Sequence, residues 1–473
     1  MKQRLPLFLF ALTALAQTGS PPVNATAALL TEIIRVNTSN PPGQEGKLDQ
    51  LLASKFKPLG FEIDIIPTPE PGKTHFIARL RGDGSKQPIL LAAHADVVGV
   101  EREKWSVDPF AGVIQDGYVI GRGAIDFKGG LAVFAQAAMM LAKNKVPLAR
   151  DVIFLSEADE EGGKYNTSWL AQSHWDKIAC EFSLNEGGWI IKNANGKVRY
   201  VSISTADKVG VSLVLRASGK STHSSMPVPN NAIFTLAKAL ARLADYETKL
   251  NLIPSTKEFF LTLAKTSQPP MSDYFSNLVN GTDPELVKQA DQEISKDPLL
   301  HAIMRNTIAP VLMNAGFRGN VIPGSAEATV NFRLIPGTNT ADLIGEMTRV
   351  VNDPRVEITP VTANIGGTRS PAELERLQKL TPSTQDSELY RALVRQSNAV
   401  YPEAAVTPYL FQAGTDSVAW RSRGVPVYGI YPYPIDNEDL SRMHGNDERV
   451  SVESLRSGTE LIYKTLLEVA AKK

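Results

Sequence analysis

Cysteine is nearly absent from this chain: Cys180 is the single one in 473 residues. One thiol cannot form an intramolecular disulfide, and it excludes a thiolate zinc site. Net charge is absent too, with 50 lysines and arginines against 50 aspartates and glutamates. A nucleic acid as bulk partner calls for net positive charge, so no nucleic-acid partner is expected. Past the N-terminus no apolar run is long enough to span a bilayer, which argues against stable membrane insertion. There is no internal repeat or low-complexity tract. Histidine is scarce, six in all, so where each one falls is informative.

Apolar residues make up 43% of the chain, enough for sizeable cores. The length exceeds what one core usually serves, so two domains are expected. Lys2 and Arg4 precede an apolar run from Leu5 to Ala16, and Ala14-Leu15-Ala16 reads as a cleavage site. Residues 1–16 are therefore expected to be a signal peptide and the mature protein to be secreted or periplasmic. No cysteine follows the run, so no lipid-anchored form is expected.

Five acid and imidazole motifs each follow an apolar run. They are Pro88-Ile-Leu-Leu-Ala-Ala-His94-Ala-Asp96, Gly121-Arg-Gly-Ala-Ile-Asp126, Val152-Ile-Phe-Leu-Ser-Glu-Ala-Asp-Glu160-Glu161, Phe182-Ser-Leu-Asn-Glu186 and Met443-His444-Gly445. In an open α/β sheet the strand C-termini share one crevice, so such residues can converge despite their separation. Two histidines and several carboxylates suit zinc, cobalt or manganese.

Within His94-x-Asp96 the two side chains lie on the same side of an extended chain. A metal-bound imidazole gives its other N–H to a carboxylate, so the pair reads as ligand and orienting partner. Glu160 and Glu161 need different tasks, because neighbours in an extended segment point to opposite sides. One would ligate metal and the other act as general base on a water activated there. Asp126 is the candidate to bridge two metals.

Together, His94-x-Asp96, Gly121-Arg-Gly-x-x-Asp126-x-Lys128-Gly129-Gly130, Asp159-Glu160-Glu161-Gly162-Gly163 and Met443-His444-Gly445 resemble the co-catalytic zinc peptidases of metallopeptidase family twenty. That family includes carboxypeptidase G, aminoacylase, succinyl-diaminopimelate desuccinylase and the Gly-X carboxypeptidases, and the last branch is the nearest in pattern. The resemblance runs from about residue 25 to the end. It implies two Zn(2+) per chain, with Co(2+) or Mn(2+) as alternatives: His94 and Glu186 on one ion, Glu161 and His444 on the other, Asp126 between them. Glu160 would be the base and Asp96 the orienter of His94. Many members carry Asp at the position of Glu186, whereas desuccinylases carry Glu. A cis peptide at Asp126–Phe127 is also implied.

Helix and strand signals alternate along the mature chain. Helices are expected at Thr26–Val36, Lys47–Leu59 and Gly130–Lys143, and strands at Phe61–Ile66, His75–Arg81 and Ile89–His94. The Met139-Met140 pair reads as core packing. This alternation predicts an α/β fold with a helix-covered, largely parallel sheet, formed by residues 25–205 and 375–473. Residues 206–374 read as an inserted α+β lid or dimerisation domain. Its expected strands are Val209–Ala217, Thr307–Met313, Ala326–Leu334 and Val356–Thr359, and its helices Ala232–Leu243 and Thr340–Val351. A polar helical insertion at about 244–306 is assigned to the lid and expected to cover the substrate.

The resemblance implies further roles in the lid. His223 would reach across a homodimer to steady the oxyanion of the partner's site. Asn320 and Arg333, with the Gly414 amide, would hold a substrate carboxylate. His75, His174 and His301 read as structural, and Trp105 falls in a loop near the metals. The expected activity is hydrolysis of peptides or N-acyl amino acids that end in a free carboxylate. Two other classes stand beside it: a non-catalytic metal-dependent peptide-binding protein and a dinuclear metal phosphoesterase. Intact Glu160 argues against the first. Against the second, the metal motifs have no basic residues beyond Arg122 and Lys128.

Overall fold

Every residue of the strand Ile89–His94 is buried, as its uninterrupted apolar run requires of a strand covered on both faces. It pairs in parallel with Val152–Glu157 on one side and Phe182–Asn185 on the other. Ile89, Leu91 and Ala93 enter one core, Leu90 and Ala92 a second. The computed structural model describes residues 24–193, 195–361 and 371–473. The expected signal peptide lies outside them. Among the described residues no helix is long and apolar enough to cross a membrane.

This parallel centre belongs to a ten-stranded sheet. Val427–Gly429 extends it in parallel, and antiparallel strands Glu62–Pro67 and Thr74–Leu80 finish one edge. Towards the other edge Val198–Asp207 pairs in parallel with Ala405–Phe411. Helices Ala25–Ile34, Glu45–Phe56, Lys128–Lys143, Glu388–Val400 and Val452–Ala470 supply the first core. Met139 is buried there, while Met140 is only half-buried. The fold class is thus α/β, with a mixed sheet whose middle is parallel.

Strand Val209–Ser218 buries alternate residues, Val209 through Ala217, in a separate core. It lies in a four-stranded antiparallel sheet between Ser325–Leu334 and Val356–Pro360, with Thr307–Ala315 at the far edge. Helices Ala232–Ala244 and Thr340–Val351 cover one face. This is the inserted α+β layer.

The insertion differs from its expected place. Helices Pro254–Thr266, Met271–Asn280, Pro284–Ile294 and Pro298–Met304 belong to the first core, not to the lid's. Phe259 packs edge-on against Tyr200 and at a tilt against Tyr409, with ring centroids 5.4 and 5.3 Å apart. Both tyrosines project from the large sheet. The apolar faces of these helices thus match an aromatic patch on strands Val198–Asp207 and Ala405–Phe411, a long-range complementarity that local polarity did not reveal.

Candidate metal centre and active site

His94 ends its strand opposite Glu157. Its Nδ1 lies 2.9 Å from the carbonyl oxygen of Asp96 and 3.6 Å from the Asp96 carboxylate. Nε2 faces Asp126 Oδ1 at 3.0 Å and Glu186 Oε2 at 3.7 Å. On the other side, His444 Nε2 lies 3.1 Å from Asp126 Oδ2 and 3.1 Å from Glu161 Oε1. Asp126 therefore turns one oxygen to each histidine–glutamate pair. Ligand atoms of His94, Asp126 and Glu161 all lie within 4.8 Å of one another. The Asp126–Phe127 peptide is cis.

Glu160 and Glu161 are not in an extended segment. The strand stops at Glu157, Asp159 takes a left-handed φ of 68°, and the two glutamates form a turn. Asp96 secures it: its carboxylate accepts from the N–H of Glu160 at 3.1 Å and of Glu161 at 3.0 Å. Burial raises the Glu160 and Glu186 carboxyls well above the usual range, and repulsion from neighbouring carboxylates adds to it. Burial also opposes charge on Asp126, but hydrogen bonds from His444 and His94 outweigh it and hold that carboxyl low. The same contacts, to Asp126 first and Glu161 second, push His444 up to about 10. So much acid in a dry cleft is costly unless cations neutralise it. Two imidazoles and three carboxylates fit borderline divalent metals, and the donor set fits the group that the motifs imply.

The residues expected to bind the rest of the substrate lie elsewhere. His223 is exposed on the short strand Thr222–His223, paired with Val321, and its Nδ1 lies 2.8 Å from Ser225 Oγ. Asn320 is next to it, its carbonyl accepting from Ser224 N–H. Arg333 is paired with Gly210 on the lid sheet, where its charge helps to lower the Lys208 ammonium, already lowered by burial, to about 7. Gly414 lines a shallow pocket with Lys208, Pro336, Leu377 and Val418. Arg333 and Gly414 thus share Lys208 as a neighbour, at the junction of body and lid.

Several participants escaped the sequence reading. Tyr431 donates to Glu186 at 3.0 Å and to Asp126 at 3.2 Å, stacked on Trp189 at 4.2 Å. Glu448 accepts from the N–H groups of Gly123, Ile125 and Asp126. Trp105, expected in a loop near the metals, faces the Arg122 guanidinium, which lies 5.3 Å from its ring centre. Asn40 and Lys73 lie behind the Glu160–Glu161 turn, both against Asp159 of the same motif. Glu448 sits four residues after His444, the one signal that was available; an isolated Tyr431 carries none.

Residues 90–468 match the family described as peptidase family M20/M25/M40. The chain belongs to this family. Proteins similar to it include the probable carboxypeptidase S-like 2 of Dictyostelium discoideum, 30% identical over 390 residues, 80% of this chain and 71% of that one. The human N-fatty-acyl-amino acid synthase/hydrolase PM20D1 is 30% identical over 403 residues, 83% of this chain and 76% of that one. Among solved structures, the M20 metallo-carboxypeptidase Sso-CP2 of Sulfolobus solfataricus superposes with a TM-score of 0.68 at 18% identity, covering 94% of this chain and 99% of that one. The M20 chain described here is therefore a hydrolase of the metallopeptidase and amidohydrolase class, with the fold of a catalytic body plus an inserted domain.

Proposed function

We propose that this M20 protein is an exported dinuclear zinc hydrolase that cleaves the amide bond of peptides or N-acyl amino acids bearing a free C-terminal carboxylate. One observation carries the reading: Asp126 presents one oxygen to His94, which also faces Glu186, and the other to His444, which also faces Glu161. That is the arrangement in which one carboxylate can join two ions. Bound there, the metals would polarise the scissile carbonyl and bring the pKa of water down to roughly 7.

The protein's own residues supply the rest. Glu160, beside the cluster and not among its ligands, takes a proton from the attacking water and delivers it to the leaving amine. Its raised affinity for protons suits an acid–base group. Asp96 fixes both the His94 ring and the Glu160 amide. Tyr431 holds Glu186 in place and excludes water from that side with Trp189. Arg333, Asn320 and the Gly414 amide hold the substrate carboxylate, a choice that agrees with relatives named for carboxypeptidase and N-acyl amino acid chemistry.

The reading includes a homodimer. His223 is exposed in the single chain, as a residue acting in a partner's site should be. The edge strand Thr307–Ala315 carries Val311, Leu312 and Met313, each more than half exposed, and an uncovered apolar edge favours pairing with another chain. Residues 1–16 act as the export signal, removed after Ala16.

Zinc counting and a substrate screen test the proposal together. The zinc-reconstituted, dialysed protein should hold two ions per chain and hydrolyse dipeptides or N-acyl amino acids. One ion or none, or activity on phosphoesters alone, removes it. N-terminal sequencing of the exported protein should begin at Gln17 or close by.

A further inference from the structure

Behind the Glu160–Glu161 turn lies a buried polar assembly that the mechanism above leaves unused. Asn40 directs its amide nitrogen at two carboxylates, 2.8 Å from Asp96 Oδ2 and 2.8 Å from Asp159 Oδ1. A primary amide has two N–H donors, and both faces here are acceptors, so the nitrogen must be the atom that points inward. Lys73 Nζ approaches the same Asp159 oxygen at 2.6 Å. Asp159 and Asp96 are fully buried, Lys73 and Asn40 nearly so.

Each carboxylate spends its remaining capacity on the catalytic turn. Asp96 takes the N–H groups of Glu160 and Glu161. Asp159 takes those of Lys164 at 3.0 Å and Tyr165 at 2.6 Å. The turn is thus hung at its start from one carboxylate and at its end from the other. Two anions this close in dry surroundings repel each other unless something neutral or cationic joins them. Asn40 joins them and Lys73 supplies the charge. No room is left over: a Cβ at Gly162 would stand 2.4 Å from the Asn40 nitrogen.

We infer that Asn40 and Lys73 are positioning residues for hydrolysis: by coupling Asp96 to Asp159 they fix the turn that carries Glu160 and Glu161. The inference rests on the reading of Glu160 as the base. Neither residue touches substrate; both act through the backbone of the turn. Displacing a catalytic group by about an ångström can cost on the order of a hundredfold in rate, so a loosened turn lowers kcat more than it weakens substrate binding.

Asn40→Ala and Asn40→Asp both remove the two donors, and the second keeps the shape. On an N-acyl amino acid that the parent hydrolyses, each should lower kcat at least about tenfold with KM within about twofold, a loss of turn placement and not of binding. Without any substrate, amide exchange of Glu160 and Glu161 should quicken at least about tenfold, confined to residues near the turn. Lys73→Met should act in the same direction, and Lys73→Arg should regain most of the loss. Unchanged turn exchange and kcat within twofold overturn the inference, as does faster exchange spread over the whole body. Glu160→Gln is run alongside: if it stays active, the base assignment fails instead, whichever way Asn40 behaves.

Discussion

Arg122 and Glu448 form a fully buried ion pair, with Nη1 2.6 Å from Oε2. Glu448 also accepts three N–H groups of the 123–126 segment, while Arg122 Nη2 donates to the carbonyls of His444 at 3.2 Å and Gly445 at 2.9 Å. One pair therefore sets the backbone under both Asp126 and His444. Removing Arg122 strands Glu448 without a counter-charge. Arg122→Met should cost about 3–5 kcal/mol of stability, as breaking a buried pair does, measured by urea unfolding. A cost below about 1 kcal/mol, the value of an exposed pair, would mean that the pair is not what holds this backbone.

Glu160→Gln removes a proton carrier and no proposed ligand. It should lower kcat at least about a hundredfold, the low end for an acid–base group, with metal content unchanged. His223→Ala should also be inactive. Mixed together, the two variants should regain activity in hybrid dimers, where one composite site holds an intact Glu160 and the partner subunit's intact histidine. Subunit exchange without recovery would show that His223 serves its own chain.

The free carboxylate of the substrate gives a charge test. Methyl-esterifying it should lower kcat/KM at least about tenfold, since a charge-assisted arginine contact is worth about 1.5–3 kcal/mol. Arg333→Ala should cost as much on the free acid and little on the ester. Equal rates on acid and ester would move the reading towards a general amidase.

His75 sets a pH dependence. Its Nδ1 accepts from Ala158 N–H and its Nε2 lies 2.9 Å from the Tyr165 carbonyl, so the folded ring is neutral with Nε2 donating. Burial lowers its pKa from 6.5 to about 4. A depressed folded value means that its contribution is complete above pH 6.5 and is lost as pH falls towards 4, because only the unfolded ring takes up the proton. The loss is roughly 3 kcal/mol. His75→Gln should show a smaller fall in unfolding free energy between pH 7 and pH 4 than the parent; an equal fall would place the dependence on other groups.

The strands were legible where pattern and burial agree. Ile89–His94 was bounded to the residue from its apolar run, and Thr340–Val351 from its helical period. The metal motifs were legible because strand ends carry them to one edge. The Glu160–Glu161 turn was not: Asn40 and Lys73 hold Asp159 at its start and Asp96 holds its amides, all three far off in sequence. Asp96 is more than the expected partner of His94, since the imidazole lies nearer its backbone carbonyl while its carboxylate tends the turn. Tyr431 was invisible for the same reason, as nothing local marks a buried tyrosine that reaches a carboxylate.

The aromatic seam between Phe259, Tyr200 and Tyr409 changes how the inserted domain is tethered. An insertion ordinarily leaves its host once and returns once. Here the chain leaves at Asp207–Val209 and comes back after Ala244 to lay its four helices on the large sheet. It leaves again at Thr307, and returns for good before Glu388. Two tethers define a single axle; four oblige every swing of the lid to bend four backbone segments at once. The middle pair makes the insertion a strut, and a nick between Ala244 and Pro254 would remove one of the four constraints without touching a residue of the metal centre.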